Sequence, residues 1–318
     1  MNRRKALIVG INYYSNVGTL NGCVADAYSV NSVLSDNSDG TKNFDTKLVT
    51  VVDQNSLISR SQLKDLVKEL FNDDNDISLF YFSGHGYIES TGGYLITSEC
   101  STGDDGLPMS ELLTIINESK VRNKIVVLDT CHSGAMGNIN TNSNMIAIEE
   151  GVTILTASQK NEYSIDEGDG SLFTKLFVDA LSGSASNLLG DVSPGSVYAH
   201  IDQSLSAWEQ RPVFKTNVKN FVSLRKTQPP ISLLELKKIT ELFDESFVHS
   251  LDPSYEPDSS NPNRENNEKF NLLQKYNRLN LVIPIGTEHM YYAAMESKSC
   301  KLTVVGEFYW SLVKKGRI

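Results

Sequence analysis

A histidine and a cysteine stand out because each follows an apolar run and each is flanked by small residues. Ser83-Gly84-His85-Gly86 comes after Ile77-Ser78-Leu79-Phe80-Tyr81-Phe82, and Asp129-Thr130-Cys131-His132-Ser133-Gly134 comes after Lys124-Ile125-Val126-Val127-Leu128. Two buried strands ending side by side would bring such residues together, and a Cys–His pair is what a thiolate nucleophile and its proton carrier require. A free thiol, with a pKa of about 8.5, is mostly protonated at neutral pH, so Cys131 needs a nearby base, and His85 is the candidate. His132 is the poorer choice, because adjacent side chains on an extended strand end point to opposite sides. Gly84, Gly86 and Gly134 let the backbone turn sharply and approach a substrate. The backbone N–H groups of Gly86 and Cys131 are candidates for an oxyanion hole. The alternative, a core cysteine and a loop histidine satisfied by backbone, does not account for the matching form of the two flanks.

The elements that must position this pair alternate along the first two thirds of the chain. Strands are predicted over 5–12, 47–52, 77–82, 124–128 and 151–157, with a short one over 94–97. Helices are predicted from Cys23 to Leu34, after a cap at Ser59 or Ser61, around 110–119, with Leu172, Phe173, Leu176, Phe177 and Ala180 on one side, and over 197–208. Near-continuous apolar strands alternating with helices predict an α/β fold, a mostly parallel sheet covered on both faces. Sites in such sheets form at the carboxyl ends of strands, where both short strings fall.

Composition bounds the reading. The 318 residues are 40% hydrophobic, enough for one large domain with a smaller appendage or for two domains of ordinary size. No stretch is long and apolar enough to span a bilayer, and the N-terminal apolar run Ala6 to Ile11 is too short for a secretory signal. The four cysteines, Cys23, Cys100, Cys131 and Cys300, show no CxxC spacing, so reduced thiols and a cytoplasmic location are expected. Of the net charge of −10, residues 226–318 contribute none, with 12 basic and 12 acidic residues. The first part therefore carries the whole acidic excess, which favours basic substrates and disfavours nucleic acid.

Four ordered motifs resemble the caspase and metacaspase superfamily of cysteine peptidases, metacaspases and bacterial caspase-like proteins in particular. They are Leu20-Asn21-Gly22-Cys23-Val24-Ala25-Asp26-Ala27, Ser83 to Gly86, Asp129 to Gly134, and Thr156-Ala157-Ser158-Gln159. The resemblance covers roughly residues 5–224 and implies the caspase-hemoglobinase fold, with His85 and Cys131 as a dyad that cleaves peptide bonds through an acyl-enzyme. It also implies that Asp26, Ser83 and Asp129 line the primary pocket and select Arg or Lys. Charge agrees, since a desolvated carboxylate pair binds a guanidinium and rejects an acidic side chain. The Gln-Ala-Cys-Arg-Gly string of Asp-selective caspases is replaced here by Asp129-Thr130-Cys131-His132-Ser133. The dyad needs no cofactor. Many metacaspases use calcium, bound by a cluster of aspartates; Asp104-Asp105 and Asp166-Glu167-Gly168-Asp169 are acidic runs in loops that follow no EF-hand pattern and do not clearly match that cluster, which leaves calcium activation open. By family analogy the role is that of a regulated effector protease in bacterial defence or cell death; the competing reading is a silent caspase-like adaptor that acts by binding.

The expected organisation is a peptidase domain over 1–225, a helix and polar linker over 226–268, and an accessory module over 269–318. Pro229-Pro230 marks the change, and Ser250 to Glu268 is rich in Asn, Asp, Glu, Ser and Pro. A helix is predicted over 233–248, then a helix over 270–276, an apolar piece over 279–285, a helix over 288–296, a strand over 301–305 and a final helix with Phe308 and Leu312. This small α+β part is similar to winged-helix modules fused to bacterial caspase-like effectors. Its charge balance points to docking of an activating protein rather than DNA. Tyr291, Tyr292, Phe308, Tyr309 and Trp310 are expected to be core aromatics.

Overall fold

The computed structural model describes residues 3–72, 74–130, 147–157, 170–205 and 211–318. The chain forms two compact units, Met1–Pro229 and Pro230–Ile318. Within the first, the strands are β1 (Arg4–Ile11), β2 (Asp45–Val51), β3 (Ile77–Ser83), β4 (Gly86–Glu89), β5 (Gly92–Leu95), β6 (Leu107–Pro108), β7 (Asn123–Asp129), β8 (Val152–Thr156), β9 (Asp191–Val192), β10 (Val213–Asn217) and β11 (Arg225–Lys226). The helices are α1 (Cys23–Ser35), α2 (Arg60–Asn72), α3 (Met109–Glu118), α4 (Leu172–Asp179) and α5 (Pro194–Ser204). Among the described residues the main sheet has six strands in the order β10-β8-β7-β3-β1-β2. All neighbours run parallel except β10, which is antiparallel to β8. The predicted mostly parallel sheet is therefore present, and the edge strand β10 is an addition to it.

The pleat decides which residues meet. Phe80, Phe82, Val126 and Leu128 point into one buried layer that includes Leu63 and Val67 of α2 and Leu112 and Leu113 of α3. Leu79, Tyr81, Ile125 and Val127 point the other way, into a layer with Ala27 and Val30 of α1, Phe173 and Phe177 of α4 and Val197 of α5. Side chains two apart on a strand share a face, so Ser83 follows Tyr81, and Asp129 follows Val127, onto the α1/α4 side. The register then sets Ser83 directly opposite Asp129. Beyond β3 the chain turns back through the hairpin β4–β5, with β6 added to it. The strand predicted over 94–97 thus lies at Gly92–Leu95, and its partner β4 had no alternating apolar pattern to announce it.

The second unit contains α6 (Leu233–Lys237), α7 (Ile239–Leu242), β12 (Val248–Ser250), α8 (Arg264–Arg278), β13 (Val282–Ile285), α9 (Met290–Met295), β14 (Ser299–Leu302) and α10 (Val304–Lys314). Its three strands form an antiparallel sheet ordered β12-β14-β13. Three expectations give way here. The polar run 250–268 is not linker-like throughout: Pro253–Tyr255 forms a turn of 3₁₀ helix with Tyr255 buried, Asn263 caps α8, and α8 starts at Arg264. Asx and Ser caps satisfy local backbone, which lets a polar composition hold order. Of the five aromatics expected in the core, Tyr309 and Trp310 are buried, whereas Tyr291, Tyr292 and Phe308 are 47%, 48% and 58% exposed. The predicted helix over 233–248 is broken into α6 and α7 and followed by β12.

Candidate active site

His85 lies two residues past β3, half-buried, and three groups hold it. Its backbone N–H donates to the phenol oxygen of Tyr14 at 2.8 Å, and the Tyr14 ring packs against the imidazole with centroids 4.7 Å apart. Its Nε2 lies 2.7 Å from the carbonyl oxygen of Gly18. A carbonyl can only accept, so Nε2 carries the hydrogen and Nδ1 is left as the basic nitrogen of the neutral ring. Gly84 makes the tight approach possible, because a Cβ there would fall 2.6 Å from the Tyr14 oxygen and 3.0 Å from the Phe82 ring.

Gly86 follows as the first residue of β4, opposite Leu95. Ile96 N–H donates to the His85 carbonyl at 3.0 Å. Hydrogen-bonded and non-hydrogen-bonded pairs alternate along an antiparallel ladder, so the Gly86–Leu95 pair is of the second kind and the Gly86 N–H is directed away from β5. That suits the oxyanion role expected of it. Cys131, expected as the other half of both the dyad and the hole, lies outside the described residues with His132; Thr130, its neighbour in sequence, is buried directly after β7.

On the α1/α4 side of these strand ends, Asp26 and Asp129 are 4% and 6% exposed, and Ser83 is 1% exposed. The predicted pocket trio is thus brought together: Ser83 Oγ donates to Asp26 Oδ2 at 3.2 Å. Residues the sequence reading passed over complete the cluster. The backbone N–H of Ser171 reaches Asp26 Oδ1 at 3.1 Å, while its hydroxyl donates to Asp129 Oδ2. Thr174 Oγ1 donates to the same Asp129 oxygen at 2.6 Å, and Tyr81 OH lies 2.6 Å from Thr174 Oγ1. Ser171 is also the N-cap of α4, accepting the Thr174 N–H at 3.0 Å. A capping serine before Leu172 and Phe173 was a readable signal; its contact with two acids far away in sequence was not.

Burial, and then the like charge of Asp129, push the Asp26 carboxyl up to about 7. Asp129 is also raised, by burial, against the lowering effect of the Ser171 and Thr174 hydrogen bonds. Desolvation likewise holds the Tyr81 phenol well above its ordinary value, so it acts only as a neutral donor or acceptor.

For calcium, the described residues offer no cluster of three or more His, Cys, Asp or Glu able to hold a metal ion. The Asp105 carboxylate is occupied by the backbone N–H groups of Ser101 and Thr102, at 3.0 and 2.9 Å. The acidic run from Asp166 to Asp169 lies outside the described residues. Among the described residues no helix is long and apolar enough to cross a membrane.

The fold is that of a caspase-type peptidase domain. The family model described as Caspase domain matches residues 3–231, and the chain belongs to the caspase family of cysteine peptidases. Metacaspase-1 of Schizosaccharomyces pombe is 34% identical over 88 residues, which is 26% of this chain and 20% of that protein. The chain thus spans about a fifth of the length of the curated relatives it matches. Among solved structures, a protein of Geobacter sulfurreducens superposes with a TM-score of 0.52 at 17% identity, covering 71% of this chain and 98% of that one. Caspase-1 from Spodoptera frugiperda gives 0.51 at 14% identity, covering 71% and 91%. These two likenesses establish the fold.

Proposed function

We propose that the chain is a cysteine endopeptidase that cleaves after Arg or Lys, with Cys131 as nucleophile, His85 as base and then acid, and Asp26, Ser83 and Asp129 as the floor of the primary pocket. The observation that carries this is the buried acid pair at the carboxyl ends of the strands that lead to His85 and Cys131. Two carboxylates this far out of water are costly when both are ionised unless a cation reaches them, and a guanidinium or ammonium is the ligand that offsets the cost.

With Nε2–H committed to Gly18, Nδ1 of His85 takes the thiol proton, the thiolate attacks the scissile carbonyl, and the imidazolium returns the proton to the leaving amine. The N–H groups of Gly86 and Cys131 stabilise the oxyanion. The protein substrate presents an exposed Arg or Lys, and control by an activating protein acting on the second unit, in a defence or cell-death system, belongs to the same reading.

A fluorogenic peptide panel with Arg, Lys or Asp at the cleavage position, run with and without calcium, tests it. Cleavage after Arg and Lys is expected, abolished in Cys131→Ala and His85→Ala and largely retained in His132→Ala. Asp26→Ala should weaken cleavage after Arg by about 2 to 5 kcal/mol in transition-state terms, as when one partner of a buried charge pair is removed. Faster cleavage after Asp than after Arg overturns the specificity, and an inert wild-type chain that still binds the peptides would favour the adaptor.

A further inference from the structure

The two pocket acids are not equivalent, and one residue makes the difference. Asp129 Oδ2 is the meeting point of two hydroxyls, those of Ser171 and Thr174. Ser171 Oγ already accepts the Thr174 N–H, and Thr174 Oγ1 has Tyr81 OH behind it. A single carboxyl proton on Oδ2 could serve only one of the two hydroxyls, so at least one must donate. Both donate when Asp129 is ionised, with Tyr81 donating to Thr174 in turn. Asp26 has a different set: a backbone N–H from Ser171 straddling its two oxygens, at 3.1 and 3.3 Å, and the hydroxyl of Ser83 at 3.2 Å. That hydroxyl can turn and accept a proton from Asp26 as readily as it donates one.

We propose that Ser171 is a positioning residue that holds Asp129 as the ionised member of the pair and leaves Asp26 as the protonated one, so that a basic side chain enters the pocket by displacing a proton from Asp26. This deepens the reading of the pocket as basic-specific and rests on it. Before the substrate arrives the pair carries one negative charge in place of two, which removes most of its self-repulsion. When a guanidinium arrives, both carboxylates become ionised and pair with it. The balance is simple: a cation enters, one proton leaves Asp26 for solvent, and no bond to carbon changes. The titratable and charged groups around the pair among the described residues are Tyr81 on β3, Lys175 on α4 and Cys23 on α1. Lys175 favours the ionised acids, while Tyr81 stays neutral. The elevated value of Asp26, about 7, places the exchange in the neutral range.

Gly170 shows that the clamp is built into the backbone. It has φ +99°, and a Cβ there would fall 2.3 Å from Asp26 Oδ1. The chain passes this close to Asp26 because the preceding residue has no side chain, and that approach is what brings the Ser171 N–H onto the carboxyl.

Benzamidine, a rigid amidinium, is the probe, used with the full-length protein. Its binding is measured calorimetrically across pH in buffers of differing ionisation enthalpy, which counts protons. Wild type should release about one proton per benzamidine near pH 6, with affinity rising through a midpoint near 7. Ser171→Ala, which removes a donor to Asp129 and keeps the N–H to Asp26, should raise the midpoint by about one pH unit, converge with wild type in alkaline solution, and be rescued by Ser171→Thr. Because Ser171 also caps α4, Tyr81→Phe serves as the second variant. It leaves the cap intact and should shift the midpoint the same way by less. Benzamidine binding without proton release, or equal weakening of Ser171→Ala at every pH, overturns the proposal while leaving the basic-specific pocket standing. No binding at any pH removes the pocket reading and the proposal with it.

Discussion

Tyr14 and His85 are joined twice: the phenol oxygen accepts the histidine's backbone N–H at 2.8 Å, and the two rings pack at 4.7 Å with a 51° tilt. One side chain from the segment after β1 thus fixes both the main chain and the imidazole plane of the candidate base. Tyr14→Phe keeps the ring contact and leaves the N–H without its acceptor. The expected result is a fall in kcat of about tenfold for an Arg substrate with little change in KM, the loss of one net hydrogen bond to a reacting residue. Steady-state kinetics decide it, and an unchanged kcat would mean that Gly18 alone suffices to orient the ring.

Gly170→Ala is the corresponding test of the pocket. An added methyl meets Asp26 Oδ1 at 2.3 Å and forces φ +99° on a residue with a side chain. Destabilisation of about 1 to 2 kcal/mol is expected from the backbone strain. KM for Arg substrates should rise while the far-ultraviolet circular dichroism stays that of the wild type. A variant with wild-type KM would show that Asp26 can move aside without cost to substrate binding.

The elevated Asp26 value also makes a stability prediction whose sign follows from proton counting. The unfolded carboxyl gives up its proton near 3.8 and the folded one near 7. Between those values the folded state binds more protons, so stability falls as pH rises through this window, and it is fully present only below the lower value. Asp129, raised in the same direction, adds to the trend. Asp26→Asn removes the group, so its melting temperature should fall less than that of the wild type between pH 4 and pH 7. Parallel melting curves for the two proteins across that range would contradict the raised value.

Much of this was written in local sequence, and the remainder was not for definable reasons. The parallel strands announced themselves as continuous apolar runs ending in Ser83 and Asp129, because a strand covered on both faces tolerates little else. The face that Ser83 and Asp129 share, and their direct opposition, came from register, which no local pattern encodes. Strand β10 was missed because Val213-Phe214-Lys215-Thr216-Asn217 is an edge strand with three polar residues in five. Tyr14, Ser171, Thr174 and Tyr81 look ordinary in sequence: a tyrosine after a strand, a helix cap, a helix-face threonine, a core aromatic. Their roles arise only when α1, α4 and the strand ends converge. The polar stretch before α8 was misread because Asn and Asp that cap backbone have the composition of residues that do nothing.

The last prediction concerns control. The segment from Gly134 to Glu150 contains no Lys or Arg. A peptidase that cuts after basic residues therefore cannot separate its two halves there. The next basic residue downstream, Lys160, lies beyond β8, which is buried at every position and pairs with both β7 and β10. Activation by self-cleavage ahead of that strand is thus closed to a basic-specific enzyme, and the proposed reading assigns control to a partner that shifts the population of active-site arrangements. Purified protein held at high concentration, with and without calcium, should remain a single intact chain with low basal activity, as read by mass spectrometry of its termini and by peptide turnover. Efficient cleavage between Gly134 and Glu150 with a burst of activity would refute the basic specificity and the partner-control model together, because the only bonds available in that segment follow acidic, apolar or small polar residues.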